Sequence, residues 1–322
     1  MIGTAKEIAD WILENDDIAV IVHFRPDGDA CGTALALVEA IRALGKRAFP
    51  ACDDPVEKKY RFLPDSEAFC TKDSMPFEPR AALGADVSDA GRMGTLGEVF
   101  SACPSRAILD HHITNNGFEK VCYVDEKAAS TGELALEVVE KLGVSLTSSM
   151  ALNLFVAIST DSGNFSFQST SPRTYLSAAK CVGAGVNVEE TTRILYRTRS
   201  VGKTRLLGCA LSRIELYAGG KVAAIRLTKK MFEENGAMPE ESHAIVNYLN
   251  EMEGVRIGIL AEEQEGAVKF SFRAADGADV SKLASCFGGG GHRAAAGATI
   301  SGETFDGAVE RVIAEAVRRP DD

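Results

Sequence analysis

No stretch of the 322 residues approaches the roughly 18 consecutive apolar side chains that a membrane-spanning helix needs. The first residues, MIGTAKEIADWILENDD, place no basic segment ahead of an apolar one and carry acids in a helix-like pattern. They are expected to form a helix and not a signal peptide, with the cytoplasm as the compartment and no membrane partner. Paired cysteines are missing too. The eight cysteines stand singly, without a CxxC, which suits neither a thiolate zinc site nor a disulfide framework in a chain this long. Most are expected to be small buried hydrophobes. Positive charge is also short, since 35 Lys and Arg face 46 Asp and Glu for a net charge of −11. That argues against gripping long duplex nucleic acid, which requires many phosphates to be neutralised. A small anionic ligand stays open, because bound metal ions can reverse the field locally.

What is present reads as two soluble domains. Apolar residues make up 45% and charged residues 25% of the chain, ordinary for a globular protein, and the length suffices for two cores. The run IAVIVHF at 18–24 reads as a buried parallel strand. A Gly-containing turn and a helix over 30–44 follow it. Further strand-like runs lie at 47–51, 81–87, 107–109 and 121–124, with helices at 131–142 and 150–159. Strands alternating with helices indicate an α/β domain built on a mostly parallel sheet. After about Gly185 the pattern changes. The polar, locally basic stretch NVEETTRILYRTRSVGKTR reads as the connection, giving domains over 1–187 and 207–322 with a linker over 188–206. The second domain reads as smaller and mixed α+β. It has strands at 221–228, 255–262, 267–275 and 294–301, and helices at 240–252, 280–287 and 305–318. The basic residues Arg193, Arg197, Arg199, Lys203 and Arg205 read as a solvated face, with phosphate contact as the alternative.

Four of the five histidines stand beside acids or glycines in compact clusters. His23, Asp27 and Asp29 follow the first strand, where Pro26 and Gly28 bend the chain so that side chains can converge. Asp86 and Asp89 follow the strand AALGA, and one of the two is expected to be a helix cap. Asp110, His111 and His112 follow AIL, and imidazole is the commonest nitrogen ligand of metals. Asp161 closes the apolar stretch LNLFVAIST, where a buried carboxylate needs a partner or a metal. Ligand sites in open α/β sheets gather at the carboxyl ends of strands. Four carboxylates meeting there would repel unless cations stood among them. Two divalent ions would offset them, and mixed nitrogen and oxygen ligation favours manganese over magnesium. His243 has no such company and reads as an ordinary helix residue.

The segments HFRPDGDACG, DVSDAGR, LDHHITN and STDSGNF resemble the four successive motifs of the DHH phosphoesterase superfamily. The segment FSFRAADGADVSKLASCFGGGGHRAAAG is similar to the DHHA1 substrate-binding domain. Within the superfamily, the two-domain length most resembles the bifunctional oligoribonuclease and 3′-phosphoadenosine-5′-phosphate phosphatase group. The resemblance implies an N-terminal DHH domain with a C-terminal DHHA1 domain. It implies one metal held by His23, Asp27 and Asp86, and a second held by Asp29, Asp86, His111 and Asp161, with Asp86 bridging. His112 would face the scissile phosphate, with Asp110 orienting an imidazole. Arg92 also fits the second motif; a place in the site and a surface salt bridge are its two readings. Arg273, Gly289, Gly290, Gly291 and His292 would bind the nucleotide, the glycines through a nest of backbone N–H groups.

The chemistry expected is two-metal hydrolysis, in which a hydroxide bridging the ions attacks phosphorus. Short oligoribonucleotides and 3′-phosphoadenosine-5′-phosphate are the expected substrates. Cyclic or linear dinucleotide hydrolysis and a RecJ-like single-strand exonuclease are the enzymatic rivals, and a nucleotide-sensing binding module is the non-enzymatic one. Oligomeric state is left open, a homodimer included.

Overall fold

The computed structural model describes residues 2–242, 244–275 and 277–319, so His243 lies outside the described residues. The chain forms two compact units, Met1–Thr198 and Arg199–Asp322. Six of the eight free cysteines are buried, while Cys209 is half-buried and Cys286 exposed. Among the described residues no helix is long and apolar enough to cross a membrane.

The first unit is built on five parallel strands: β1 (Ile18–Ile21), β2 (Ala48–Ala51), β3 (Ala81–Ala85), β4 (Ser105–Asp110) and β5 (Val121–Val124). Their spatial order is β2-β1-β3-β4-β5. β1, β2 and β3 are buried at every position, the signature of a sheet covered on both faces. One face is packed by α1 (Ala5–Glu14), α2 (Gly28–Ala43), α4 (Thr131–Leu142) and α5 (Ser148–Asp161). The other face is covered by α3 (Leu96–Ala102) and the loops around Cys70 and Phe77. Helices α6 (Pro172–Gly183) and α7 (Val188–Thr192) close the unit.

Glycines set how closely the inner helices approach. A Cβ on Gly32 of α2 would lie 2.2 Å from the Asn153 carbonyl oxygen of α5, and one on Gly28 would lie 2.5 Å from Thr160 Oγ1. Gly132 of α4 meets the Ala157 methyl of α5 in the same way, at 2.6 Å. Backbones therefore touch where any larger residue would hold them apart. The contact at Gly28 brings the start of α2 against the end of α5, so Asp27 and Asp29 arrive beside Asp161.

The stretch 188–206 is mostly ordered into helix. After α7 comes a wide π-type turn over Arg193–Arg197, and α8 (Val201–Leu211) begins after three intervening residues. The second unit carries a six-stranded sheet of β6 (Glu215–Tyr217), β7 (Val222–Leu227), β8 (Ile257–Gln264), β9 (Ala267–Ala274), β10 (Gly290–His292) and β11 (Ala295–Ser301). Its order is β10-β11-β9-β8-β7-β6, antiparallel except for the β7–β8 pair. Helices α9 (Lys229–Asn235), α10 (Asn247–Asn250), α11 (Val280–Ser285) and α12 (Phe305–Arg318) pack on it.

One expectation differs here. The helix expected over 240–252 is a 3₁₀ turn, Pro239–Ser242, and a separate single turn, α10. Ser242 Oγ donates back to the Pro239 carbonyl at 2.8 Å and closes the first turn, and Asn is a weak helix former. The glycine run joins the sheet. Gly290–His292 pairs with Ala295–Gly297 as an antiparallel edge strand.

Candidate metal centre

The carboxyl ends of β1, β3 and β4, with the start of α2 and the end of α5, converge on six side chains. His23 sits just beyond β1. Its Nδ1 lies 2.8 Å from the Phe24 carbonyl oxygen, which fixes a proton there and turns Nε2 towards Asp86 Oδ2 at 3.5 Å and Asp27 Oδ1 at 3.9 Å. His111 follows β4 and repeats the arrangement. Its Nδ1 meets the Ala128 carbonyl at 3.3 Å, and its Nε2 faces Asp161 Oδ2 at 3.1 Å, Asp86 Oδ1 at 3.7 Å and Asp29 Oδ2 at 3.8 Å. A backbone carbonyl behind each imidazole is the usual support of a metal-ligating histidine.

Each acid has its own device. Asp27 caps α2, its Oδ1 accepting the N–H groups of Asp29 and Ala30 at 3.0 Å each. Asp29 is fully buried and gripped by the N-terminus of α4, with Thr131 N–H at 2.6 Å and Gly132 N–H at 2.9 Å. Thr33 Oγ1 donates to it as well, at 3.1 Å. Asp86 accepts from Thr131 Oγ1 at 3.0 Å. It adopts a left-handed backbone, φ 58°, as do Arg25, Asn164 and Phe165 in the neighbouring loops, at 55°, 54° and 64°. Non-glycine residues held there carry strain that the surrounding structure must sustain, a feature that clusters at functional sites. Asp89 is the cap of its pair, accepting the Arg92 N–H at 3.2 Å.

Electrostatics tie the cluster together. Burial opposes charge on His23, yet Asp86 and Asp27 overcome it and raise the imidazole to about 9. Burial likewise opposes His111, and Asp161, Asp29 and Asp86 lift it to about 10. Burial and the charges of Asp86 and Asp161 push Asp27 up to about 6 and Asp29 well above the carboxylate range. Asp86 is held low: burial raises it, but His23, His111 and His112 together prevail. A set of acids that must protonate in part to coexist is a set that cations would satisfy.

Donor atoms of His23, Asp27 and Asp86 lie within 4.8 Å of one another, as do those of Asp29, His111 and Asp161. His111 Nε2 is buried with three carboxylates around it, Asp161 nearest at 3.1 Å. A nitrogen that gives up its proton in a ring of carboxylates fits a divalent ion. Asp86, His111 and His112 form a third such group, but His112 also has a partner outside it. Its Nδ1 bonds to Asp110 Oδ1 at 2.7 Å and its side chain is 41% exposed. The bond to Asp110 raises its pKa, burial working against the rise. Asp110 is fully buried and takes a second bond from Asn115 Nδ2 at 2.8 Å; the same amide donates to the Val87 carbonyl at 3.0 Å.

In the second unit the register aligns Arg273 of β9 with Ala295 of β11, and Ala295 with His292 of β10. Arg273 and His292 therefore share one cross-strand row on the same face. Arg273 is half-buried, and its described partners are neutral: Asn247 Oδ1 and the Phe272 carbonyl, each at 3.0 Å. Two of the glycines are demanded by packing. A Cβ on Gly289 would lie 2.1 Å from the Gly297 oxygen, and one on Gly291, φ 146°, would lie 2.5 Å from Ala296 Cα. Gly290 has open space beside it and stands exposed on the edge strand.

The DHH family N-terminal domain matches residues 17–158, and the DHHA1 domain matches residues 219–318. The chain is 36% identical over 312 residues to the bifunctional oligoribonuclease and PAP phosphatase NrnA of Thermus thermophilus, covering 94% of this chain and 89% of that one. This chain belongs to the DHH–DHHA1 phosphoesterase family. NrnA of Bacillus subtilis is 26% identical over 292 residues, 88% of this chain and 90% of its own. The DHH–DHHA1 fold is shared with an exopolyphosphatase-related protein of Bacteroides fragilis, at a TM-score of 0.87 and 22% identity over 99% and 97% of the two chains. It is shared also with an exonuclease RecJ solved with manganese, at a TM-score of 0.58 and 16% identity over 100% and 96%. The protein is accordingly a hydrolase of phosphoester bonds, and its cluster can hold metal.

Sequence reasoning did not find the grip of Thr131 and Gly132 on Asp29 and Asp86, nor Asn115 as the support of Asp110. The segment STGE does carry a capping signal at Ser130, whose side chain accepts the Glu133 N–H. What it could not carry is the identity of the carboxylate those backbone groups meet.

Proposed function

We propose that this protein hydrolyses short oligoribonucleotides and 3′-phosphoadenosine-5′-phosphate with the help of two divalent ions, manganese foremost. One ion would be held by His23, Asp27 and Asp86, the other by Asp29, Asp86, His111 and Asp161. The observation that carries the reading is Asp86, whose Oδ2 faces His23 while its Oδ1 faces His111. One carboxylate thus serves both halves of the cluster. When bound, such ions would supply an activated water at neutral pH and offset charge on the phosphate oxygens.

The protein's own residues would do the remainder. Asp110, pinned by Asn115, accepts the Nδ1 proton of His112 and raises the pKa of the ring, so the imidazolium form would keep a second proton on Nε2 to donate to a phosphate oxygen or the leaving alkoxide. Such preorganised donors act where charge develops in the transition state. In the second unit, Arg273, His292 and the glycine run Gly289, Gly290 and Gly291 would bind nucleotide; the Gly289 N–H itself is donated to the Ala284 carbonyl at 2.9 Å.

Substrate length follows from charge. The chain carries −11, so each phosphate beyond those held at built sites meets an acidic surface and gains little from counterion release. Efficiency should peak at roughly two to five nucleotides. The experiment is a kcat/KM ladder from dinucleotide to 25-mer at fixed salt and manganese, with 3′-phosphoadenosine-5′-phosphate and cyclic dinucleotides alongside. Rates that climb steadily with length would point to a RecJ-like exonuclease and sink the short-substrate reading.

A further inference from the structure

On the His23 side of the cluster stands a cation that no acid among the described residues claims. The short turn Ala90–Met93 is capped by Asp89, and the Arg92 carbonyl accepts the Phe24 N–H at 2.9 Å. Phe24 is the residue whose carbonyl holds His23, so Arg92 is fastened one residue from the cluster. Its guanidinium carbon lies 5.1 Å from the Phe24 ring centroid. A guanidinium over an aromatic face keeps its in-plane N–H groups free.

Other arginines of this unit spend those groups on acids: Arg106 on Glu119, Arg173 on Asp125 and Glu137, and Arg193 on Glu190. Arg92 is exposed and has no carboxylate within ion-pair reach among the described residues. Arg25 behaves alike. It lies between His23 and Asp27, its left-handed backbone pinned by a 2.8 Å bond from its N–H to Asp54 Oδ2, and its exposed guanidinium is likewise without a described carboxylate partner. Two unpaired guanidinium groups beside a carboxylate cluster, in a protein of charge −11, are placed to receive an anion.

We infer that Arg92, seconded by Arg25, binds a second phosphate of the substrate, the 5′-phosphate of the nucleotide whose 3′-phosphoester is cut. This rests on the function proposed above and deepens it. A 5′-phosphate is what 3′-phosphoadenosine-5′-phosphate and a 5′-phosphorylated dinucleotide have in common. The scissile phosphate itself already has His112 and the cluster.

The test compares substrate pairs that differ only in that group: 3′-phosphoadenosine-5′-phosphate against adenosine 3′-monophosphate, and pApA against ApA. The preference for the 5′-phosphorylated member should collapse about 10- to 100-fold in Arg92→Ala, chiefly through KM, the scale of a charge-assisted contact. Arg92→Lys should recover part of it, since the charge remains but the planar fork does not. Arg25→Ala should show the same trend more weakly. An unchanged preference in Arg92→Ala, or an equal fall on both members of each pair, overturns the assignment. Calorimetric binding of adenosine 5′-monophosphate against adenosine gives a second reading that needs no turnover. If the unaltered protein cleaved none of these substrates, the proposed function would fail, while loss or retention of monophosphate affinity in Arg92→Ala would still decide for or against the Arg92 site.

Discussion

The Gly132 N–H donates to Asp29 Oδ1 at 2.9 Å across 103 residues of sequence. With the Thr131 N–H on the other oxygen, the N-terminus of α4 supplies two backbone donors and the positive end of its dipole to a fully buried acid. The cluster is thus oriented by helix ends as much as by its ligands. It is from this arrangement that the effects of substitution follow.

Asp86→Asn removes one negative charge from the acid that faces both His23 and His111. On the two-ion reading proposed above, manganese content, measured by metal analysis after gel filtration, should fall from two ions to one or none, with turnover down at least ~10³-fold, as expected when charge stabilisation is lost from a catalytic centre. Two ions and near-normal activity would remove Asp86 from the bridging role.

His112→Ala should behave otherwise. Because Nδ1 is committed to Asp110 and the ring is partly exposed, metal content should stay normal while kcat falls roughly 10²- to 10³-fold, the cost of one transition-state contact. Asn115→Ala, which loosens Asp110, should produce a smaller loss in kcat with little change in KM. An empty site in His112→Ala would make it a ligand.

Gly32→Ala introduces one methyl against a backbone oxygen 2.2 Å away. Neither partner can rotate out of the way, so α2 and α5 must separate, at a cost of about 1–3 kcal/mol or more for overpacking. A lower Tm should come with weaker manganese binding, since the same helices carry Asp29 and Asp161. Chemical denaturation and metal titration read the two effects, and a normal Tm would refute the close-approach account.

Glu133 gives a pH dependence. It is fully buried, and its ion-pair contact is Arg173 Nε, 3.6 Å from Oε2. Burial raises its pKa above the usual glutamate range, with Thr174 and Arg173 opposing. Between the unfolded and folded values the folded state binds more protons, so this residue's contribution to stability falls as pH rises through that window. Glu133→Gln should therefore raise stability at pH 7.5, by on the order of 1 kcal/mol. The gain should shrink towards zero near pH 4, where glutamate is itself protonated. A gain independent of pH would place the effect elsewhere.

The metal-site candidates were legible because each lies at a fixed offset from a strand end or helix start, and those ends are written in the sequence. Helix α4 is a clear case. Ser130 caps it and Gly143 ends it in a left-handed conformation, φ 69°, and both signals are residue-specific. The turn over Pro239–Ser242 and the glycine edge strand were not legible. A run such as IVNYLN is equally compatible with helix, and glycine carries no side chain whose period could reveal a strand.

By itself the sequence determined which side chains could carry the chemistry, through acid and histidine clusters placed behind three apolar strands and one apolar helix. Only the tertiary structure decided how they are held. The backbone donors of Thr131 and Gly132, the Asn115 amide beneath Asp110 and the row joining Arg273 to His292 depend on register and helix approach. A backbone N–H belongs to nearly every residue alike, so nothing in the letter at a position says which distant carboxylate it will meet until the chain has packed.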